Sequence, residues 1–483
     1  MNDAAGELSI QDPRTRTRVA LITILAVVVG GLLRAADLDK QPFWLDEQAS
    51  FDFAKMPFWK CVFAEAQHPP LYRTLLWGSL RTIGETDALV RILSLIFGTA
   101  TIAIGCLLTA RLRVSALPQV AFLLTISPFL YYYSRENRNY ALLILLSLWS
   151  TLALLRIMRE GRGLIGYAVL TVLLAYTHYF GVFVLLAHEW VFWRHRRSGA
   201  TASAKSWLTM RTLSALAVSP WVYWLSQNLE MQERGWLLNP FMGTVTTFTR
   251  MIVGYGMTSW PTKVAEDMFS IWLLRDLVVL SIVLAPAAWM SVRGFRRLSS
   301  DPLAVGVVRS IFWMPFLILV PYSIQTRFIS ERYLAFLAPF VLMVYGIGWS
   351  LQEKRRRLVD FAVIGTMSFA LMCHLIAPRD IPWFSCSFQK EQWPAAAEYA
   401  REFEPEKILY CHDYVRPVFN RYYGWQDGFE TEFPVERLCL VLSHHSDEEE
   451  AEARQRFADD YEIVRETWFP ADAGIRVILL QHR

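Results

Sequence analysis

Asp46 and Glu47 stand side by side in the phrase FWLDEQ, and His68 opens the phrase HPPLY further along the same polar stretch. Three more phrases crowd ionisable groups among aromatic ones: YYYSRENRNY at 131–140, YTHYFG at 176–181 and TRFISERYL at 326–334. A carboxylate aimed into a cavity can take the proton of an attacking hydroxyl. The planar guanidinium fork of an arginine matches phosphate oxygens. Each phrase also has an ordinary structural reading. Asp46 and Glu47 suit the first turn of an interfacial helix, where carboxylates favour the positive helix end. His-Pro-Pro enforces an extended turn. Arg135, Glu136 and Arg138 suit a local ion-pair cluster, His178 an interfacial aromatic belt, and Glu331 with Arg332 an ion pair capping a span. What separates the two readings is whether the chain gathers these phrases in one place.

The elements that must do so are membrane spans. The chain has 483 residues, is 54% hydrophobic and only 19% charged, and has a mean hydropathy of +0.27, too apolar for an ordinary soluble enzyme. Apolar runs recur at 19–36, 89–110, 114–132, 140–157, 164–177, 179–193, 207–225, 271–291, 309–325, 333–351 and 358–377. These are about eleven candidate helices against the roughly 20 apolar residues a crossing needs. The first run follows the basic RTRTR at 14–18 but lacks a convincing small-x-small cleavage site before Asp37, and reads as a retained span rather than a secretory signal.

Basic clusters at 14–18, 111–113, 156–162, 194–197, 293–297 and 353–357 fall on alternate loops, which sets the N-terminus, residues 1–18, in the cytoplasm. The net charge of +4 is then a topology signal, not a nucleic-acid footprint. With residues 19–377 as the membrane module, every phrase named above falls on the outer face, the first two in a long outer loop at 37–88. Ionisable groups at a membrane boundary are costly unless paired or lining a wet cavity. Their gathering on one face predicts a single cavity there. Within that loop, FDFAKMPFWKCVFAEAQ and LYRTLLWGSL are too short or too interrupted to span and read as interfacial helices. From 378 to 483 the composition shifts to short β-type runs and an acidic helix, a small soluble α/β domain outside the membrane. It holds Cys386, Cys411 and Cys439, for which an oxidising compartment would permit a disulfide of undetermined pairing. Cys411, His412, His444 and His445 match no zinc-finger spacing. No internal repeat, low-complexity tract or Gly-rich nucleotide loop is present.

One reaction uses this inventory: transfer of a sugar from a polyprenyl phosphate to an acceptor hydroxyl at the outer face. The leaving phosphate needs cations more than an acid, for which Arg135, Arg138 and Arg332 are candidates, and the hydroxyl needs a base, for which Asp46 is the candidate, with Glu47 or Glu136 as second carboxylate. A buried isoprenoid also suits a chain that is 14% aromatic.

Taken in order, FWLDEQASF, HPPLY, YYYSRENRNYAL, THYFG and ERYL resemble the bacterial GT-C glycosyltransferases related to protein O-mannosyltransferases, the aminoarabinose transferase of lipid A and rhizobial lipopolysaccharide galacturonosyltransferases. The resemblance covers nearly the whole chain, including a tail that opens QWPAAAEYA. It implies an all-α polytopic GT-C fold with a small external α/β domain, Asp46 as base with Glu47 beside it, and a substrate and lipid-phosphate site drawn from His68, Tyr72, Arg135, Glu136, Arg138, His178, Tyr179, Glu331, Arg332 and Tyr333. The second-loop motif keeps Ser134, Glu136 and Arg138, while Asn137 and Asn139 depart from its usual form. It further implies a bacterial inner-membrane location, a polyprenyl-phosphate donor, and an acceptor that is an envelope glycan, a lipid such as lipid A, or a protein. A divalent cation, Mg or Mn, is left open, with Glu47, Glu136 and His178 as the ligands on offer. Three rivals remain: a transporter or flippase of a lipid-linked sugar, which would put its charges near the midplane on broken helices; a glycan ligase or polymerase of the same architecture; and a membrane scaffold.

Overall fold

The first helix, Pro13–Ala35, starts where its sequence says it should. Asp12 accepts a hydrogen bond from the Thr15 backbone N–H at 3.0 Å, and Pro13 occupies a position whose N–H would be unpaired in any helix. The computed structural model describes residues 12–196, 203–228, 240–254, 285–326, 329–351, 357–376, 391–424, 433–469 and 474–483. Among these, Pro13–Ala35, Ile92–Ile126, Tyr140–Glu160 and Pro302–Tyr322 are long and apolar enough to cross a membrane, accompanied by the shorter apolar helices Leu164–Ala175, Ala335–Ser350 and Val363–Met372. The helices fall on the apolar runs read from the sequence, save that 271–284 and residue 377 lie outside the described residues.

Two local differences have physical causes. The run 114–132 is two helices, Leu117–Ile126 and Pro128–Tyr133, because Pro128 has no N–H to continue the ladder and the Ser127 hydroxyl instead accepts from Leu130 N at 3.2 Å. A further helix, Pro240–Val253, was not foreseen, and it carries Arg250 to Glu331. Elsewhere backbones approach closely. The helices Ala285–Arg296 and Ala338–Ser350 cross at Gly294 and Gly348, where a Cβ on either glycine would collide with the other helix's backbone.

The outer loop folds into short helices, Leu45–Lys55, Phe58–Val62, Leu71–Thr82 and Asp87–Val90. Phe51, Ala54, Tyr72, Leu76 and Leu80 are buried against the bundle, whereas Phe58, Trp59, Phe63, Leu75 and Ile83 are exposed. One apolar face inward and a second outward is the amphipathic layout of helices seated at a lipid surface.

The tail is a four-stranded sheet in the order β1-β2-β4-β3, with β1 Lys407–Tyr410, β2 Arg437–Leu442, β3 Tyr461–Phe469 and β4 Ile475–His482. β1 and β2 run parallel and the other pairs antiparallel. Alternation sorts its side chains. Cys439, Val441, Val477 and Leu479 pack with Trp393, Ala396 and Phe419 from the helices Trp393–Arg401 and Arg416–Tyr423. Leu438, Leu440, Ile478 and Leu480 face Ala453 and Phe457 of Asp447–Phe457. Cys411 and Cys439 are free thiols, and Cys386 lies outside the described residues.

Candidate active site

Trp44 is extended and ends the approach to the Leu45–Lys55 helix, so that Asp46 and Glu47 fall in its first turn. The two carboxylates then part. Asp46 remains 38% exposed, with Arg138 Nη2 and Arg332 Nη1 each 3.6 Å from its Oδ2. Glu47 turns inward to full burial, where Arg91 Nε and Nη2 grip its two oxygens at 2.9 and 3.0 Å and Asn137 N donates to Oε1 at 2.7 Å. Glu47, expected beside the base or on a cation, is therefore an anchor: its oxygens are committed to a guanidinium as buried as itself.

Arg138 is held from several directions. It donates to the Asp46 carbonyl at 3.1 Å and to Ser50 Oγ at 2.9 Å through Nη1, and its Nη2 lies 3.0 Å from His68 Nε2. Guanidinium has no acceptor, so His68 Nε2 accepts, and the ring proton on Nδ1 goes to Glu65 Oε1 at 3.2 Å. Arg73 completes the turn, donating to Glu65 Oε1 at 3.3 Å, His68 O at 3.0 Å and Val62 O at 2.7 Å. Burial alone would raise the Glu65 carboxyl, but the His68 hydrogen bond and the charges of Arg138 and Arg73 outweigh it and hold it down at about 2. Burial would likewise lower Arg138, and the carboxylates of Asp46, Glu65 and Glu136 more than reverse it. Ser50, Phe53, Glu65, His68, Arg138 and Asn139 border a small open cleft next to the Arg138 guanidinium.

Arg332, which shares the Asp46 oxygen with Arg138, lies with its guanidinium 4.8 Å over the Trp44 ring. Its neighbour Glu331 is buried and paired with Arg250; burial would raise this carboxyl, but Arg250 and Arg332 bring it below its usual range. Tyr333 stacks on Phe180, with centroids 5.0 Å apart. His178 is buried, accepts from Phe180 N at 3.1 Å through Nδ1, and lies 6.2 Å from both the His68 and Tyr333 rings. Tyr179 donates to Ala66 O at 2.6 Å, closing the third loop onto the first.

Of the residues expected from the sequence, Asp46, His68, Arg138 and Arg332 meet directly. His178, Tyr333 and Glu331 form an outer ring. Tyr72 lies beneath, hydrogen-bonded to Ser94 at 2.8 Å and Asn137 at 3.1 Å. Glu136 is buried under the loop, its charge acting on Tyr72, Tyr132 and Arg138. Arg135, expected at a phosphate, instead donates to the carbonyls of Ala36 and Asp37 and lies 4.9 Å over Tyr131. It staples the exit of the first helix. Sequence reading missed Glu65, Arg73, Arg91 and Arg250. Only Glu65 carried a local signal, the i, i+3 spacing to His68. Of the cation ligands on offer, Glu47 is gripped by Arg91, and among the described residues no three His, Cys, Asp or Glu side chains converge on a metal position.

Residues 67–224 match the family model described as dolichyl-phosphate-mannose-protein mannosyltransferase. That segment contains the second and third outer loops and begins after Asp46. ArnT from Cupriavidus metallidurans bound to undecaprenyl phosphate superposes with a TM-score of 0.54 at 13% identity, covering 96% of this chain and 98% of that one. The chain has a GT-C fold like that of ArnT. The apo form of the same ArnT gives 0.53 at 13% identity over the same shares. The Archaeoglobus fulgidus oligosaccharyltransferase complex with zinc and sulfate gives 0.48 at 12% identity, over 86% of this GT-C chain and 58% of that one. No curated protein matches by sequence.

Proposed function

We propose that this GT-C protein transfers a sugar from a polyprenyl-phosphate donor to a hydroxyl acceptor, with Asp46 as the base and Arg138 and Arg332 on the lipid phosphate. The observation that carries the reading is the convergence of two guanidinium groups on Asp46, a carboxylate that stays open to solvent. In the reaction the acceptor oxygen bonds to the anomeric carbon as the bond from that carbon to the phosphate oxygen breaks. The hydroxyl proton passes to Asp46, and the electron pair leaves on the phosphate, where fixed cations stabilise the growing charge. Undecaprenyl phosphate bound to ArnT and the lipid-phosphate donor named in the matched family support this donor class.

The acceptor is an envelope glycan, lipid or protein, and the site faces the outer side of a bacterial inner membrane with the N-terminus cytoplasmic and the C-terminal domain periplasmic. Mass spectrometry of lipid A, cell-wall glycans and glycoproteins from cells lacking the chain should show one sugar missing. Restoring the parental chain should return it and restoring Asp46→Asn should not, at equal expression. Full restoration by Asp46→Asn would remove Asp46 as the base.

A further inference from the structure

The C-terminal domain touches the outer loop at one concentrated point. From the helix Arg416–Tyr423, the Arg421 guanidinium enters between two rings, 4.2 Å over Phe43 and 4.4 Å over Phe51, which meet edge to face at 6.2 Å. It donates to Asp87 Oδ1 through Nη2 at 2.5 Å and Nε at 3.1 Å. The next residue, Tyr422, donates its hydroxyl to Asp87 Oδ2 at 2.8 Å and accepts from Phe43 N at 2.7 Å.

These partners are the fixings of the helix that carries Asp46. Phe51 lies on that helix, and Phe43 leads into it. Phe43 is fully buried and also lies 4.8 Å beneath Arg91, whose fork holds Glu47. Asp87 opens the short helix Asp87–Val90 that delivers Arg91. We propose that the C-terminal domain completes the active site by fixing the Asp46 helix, with Arg421 and Tyr422 as positioning residues. This rests on the reading of Asp46 as base.

The interaction types suit the task. A guanidinium between two aromatic faces gains from both only in one orientation, and its paired donation to a carboxylate sets that orientation. Tyr422 adds a direct tie to the backbone three residues before Asp46. A purely adhesive contact between domains would use the same chemistry anywhere along the loop; here every partner belongs to the Phe43–Phe51 segment or to the turn that anchors it. Displacing a base by about 1 Å costs on the order of 10²-fold in rate even when the change is remote from the chemistry.

The test uses the full chain purified in detergent, with a polyprenyl-phosphate-sugar lipid extract from the producing cells as donor. Arg421→Ala should lower kcat by about 10²-fold with KM for the lipid unchanged, and Arg421→Lys should recover part of it. Tyr422→Phe, which removes one hydroxyl, should lower kcat in the same sense. Backbone hydrogen exchange should accelerate in 43–52 and stay slow in the four-stranded sheet. If both Arg421→Ala and Tyr422→Phe keep parental kcat and parental exchange in 43–52, the clamp does not exist. Should Arg421→Ala fail to fold, Tyr422→Phe decides alone. An active Asp46→Asn sinks the base assignment while leaving the exchange result standing; an inactive Asp46→Asn beside fully active Arg421→Ala and Tyr422→Phe sinks only the clamp.

Discussion

Replacing Glu47 with glutamine separates anchoring from catalysis. Glu47 is fully buried and Arg91 is 1% exposed, and the two share a bidentate contact at 2.9 and 3.0 Å. Removing one partner of such a pair leaves a buried charge without compensation, a loss of about 3–5 kcal/mol. Arg91 also donates to the carbonyls of Leu38, Gln41 and Pro42 at 3.0, 2.7 and 3.2 Å. Those dipoles still solvate the cation, which places the expected loss near the lower limit, about 3 kcal/mol. The glutamine amide also turns a donor toward a donor. Thermal unfolding of the purified chain should therefore fall clearly for Glu47→Gln. The double variant Glu47→Leu, Arg91→Met should regain most of the loss, because a buried pair replaced by packed apolar groups is near neutral. A catalytic Glu47 predicts the opposite pattern: transfer lost with unfolding unchanged. Parental unfolding in Glu47→Gln would refute the anchor.

Three other perturbations follow from the same geometry. Arg332→Ala should raise the apparent KM for the lipid donor more than Arg332→Lys does, and an unchanged KM in both would take Arg332 off the phosphate. Glu65 is held at about 2 against an ordinary 4.5, so it contributes stability that is present above pH 4.5 and lost as pH falls from there through 2. The difference in unfolding temperature between the parent and Glu65→Gln should shrink over that window, and a constant difference would mean that Glu65 is not ion-paired. For orientation, Ser134 is a poor probe because it is buried between Gly98 and Arg34. Lys40→Cys is half exposed and should react with a membrane-impermeant maleimide in intact spheroplasts; labelling only after lysis would invert the topology.

How much of this was legible beforehand depended on whether a feature is local. Helix positions follow from runs of apolar residues and from caps such as Asp12–Pro13, and the sheet faces follow from alternation in RLCLVL and IRVILL. The gathering of Asp46, His68, Arg138 and Arg332 followed from loop alternation, since four phrases on one face of a bundle have little room to avoid one another. The extra break at Pro128 was written in the sequence but hidden by an otherwise continuous apolar run.

Which acceptor each arginine meets was not legible, and the reason is general. Arg34, Arg73, Arg91, Arg135, Arg138, Arg250, Arg332 and Arg421 meet different acceptors, and a guanidinium looks the same in sequence whichever acceptor it meets. Arg34 and Arg135 serve backbone carbonyls at helix ends. Arg91, Arg250 and Arg421 neutralise Glu47, Glu331 and Asp87, which are removed from the site by that pairing. Arg138 and Arg332 alone among these point at Asp46. Sequence separations of 44, 81 and 334 residues in the pairs of Arg91, Arg250 and Arg421 with their carboxylates put those partners beyond any spacing rule. Adjacent carboxylates were read as one acidic pair for the same reason: successive helical residues differ by about 100°, enough to send Asp46 to the cleft and Glu47 to Arg91. The active centre is thus defined less by which charged residues the outer loops contain than by which of them the distant partners leave facing the cleft.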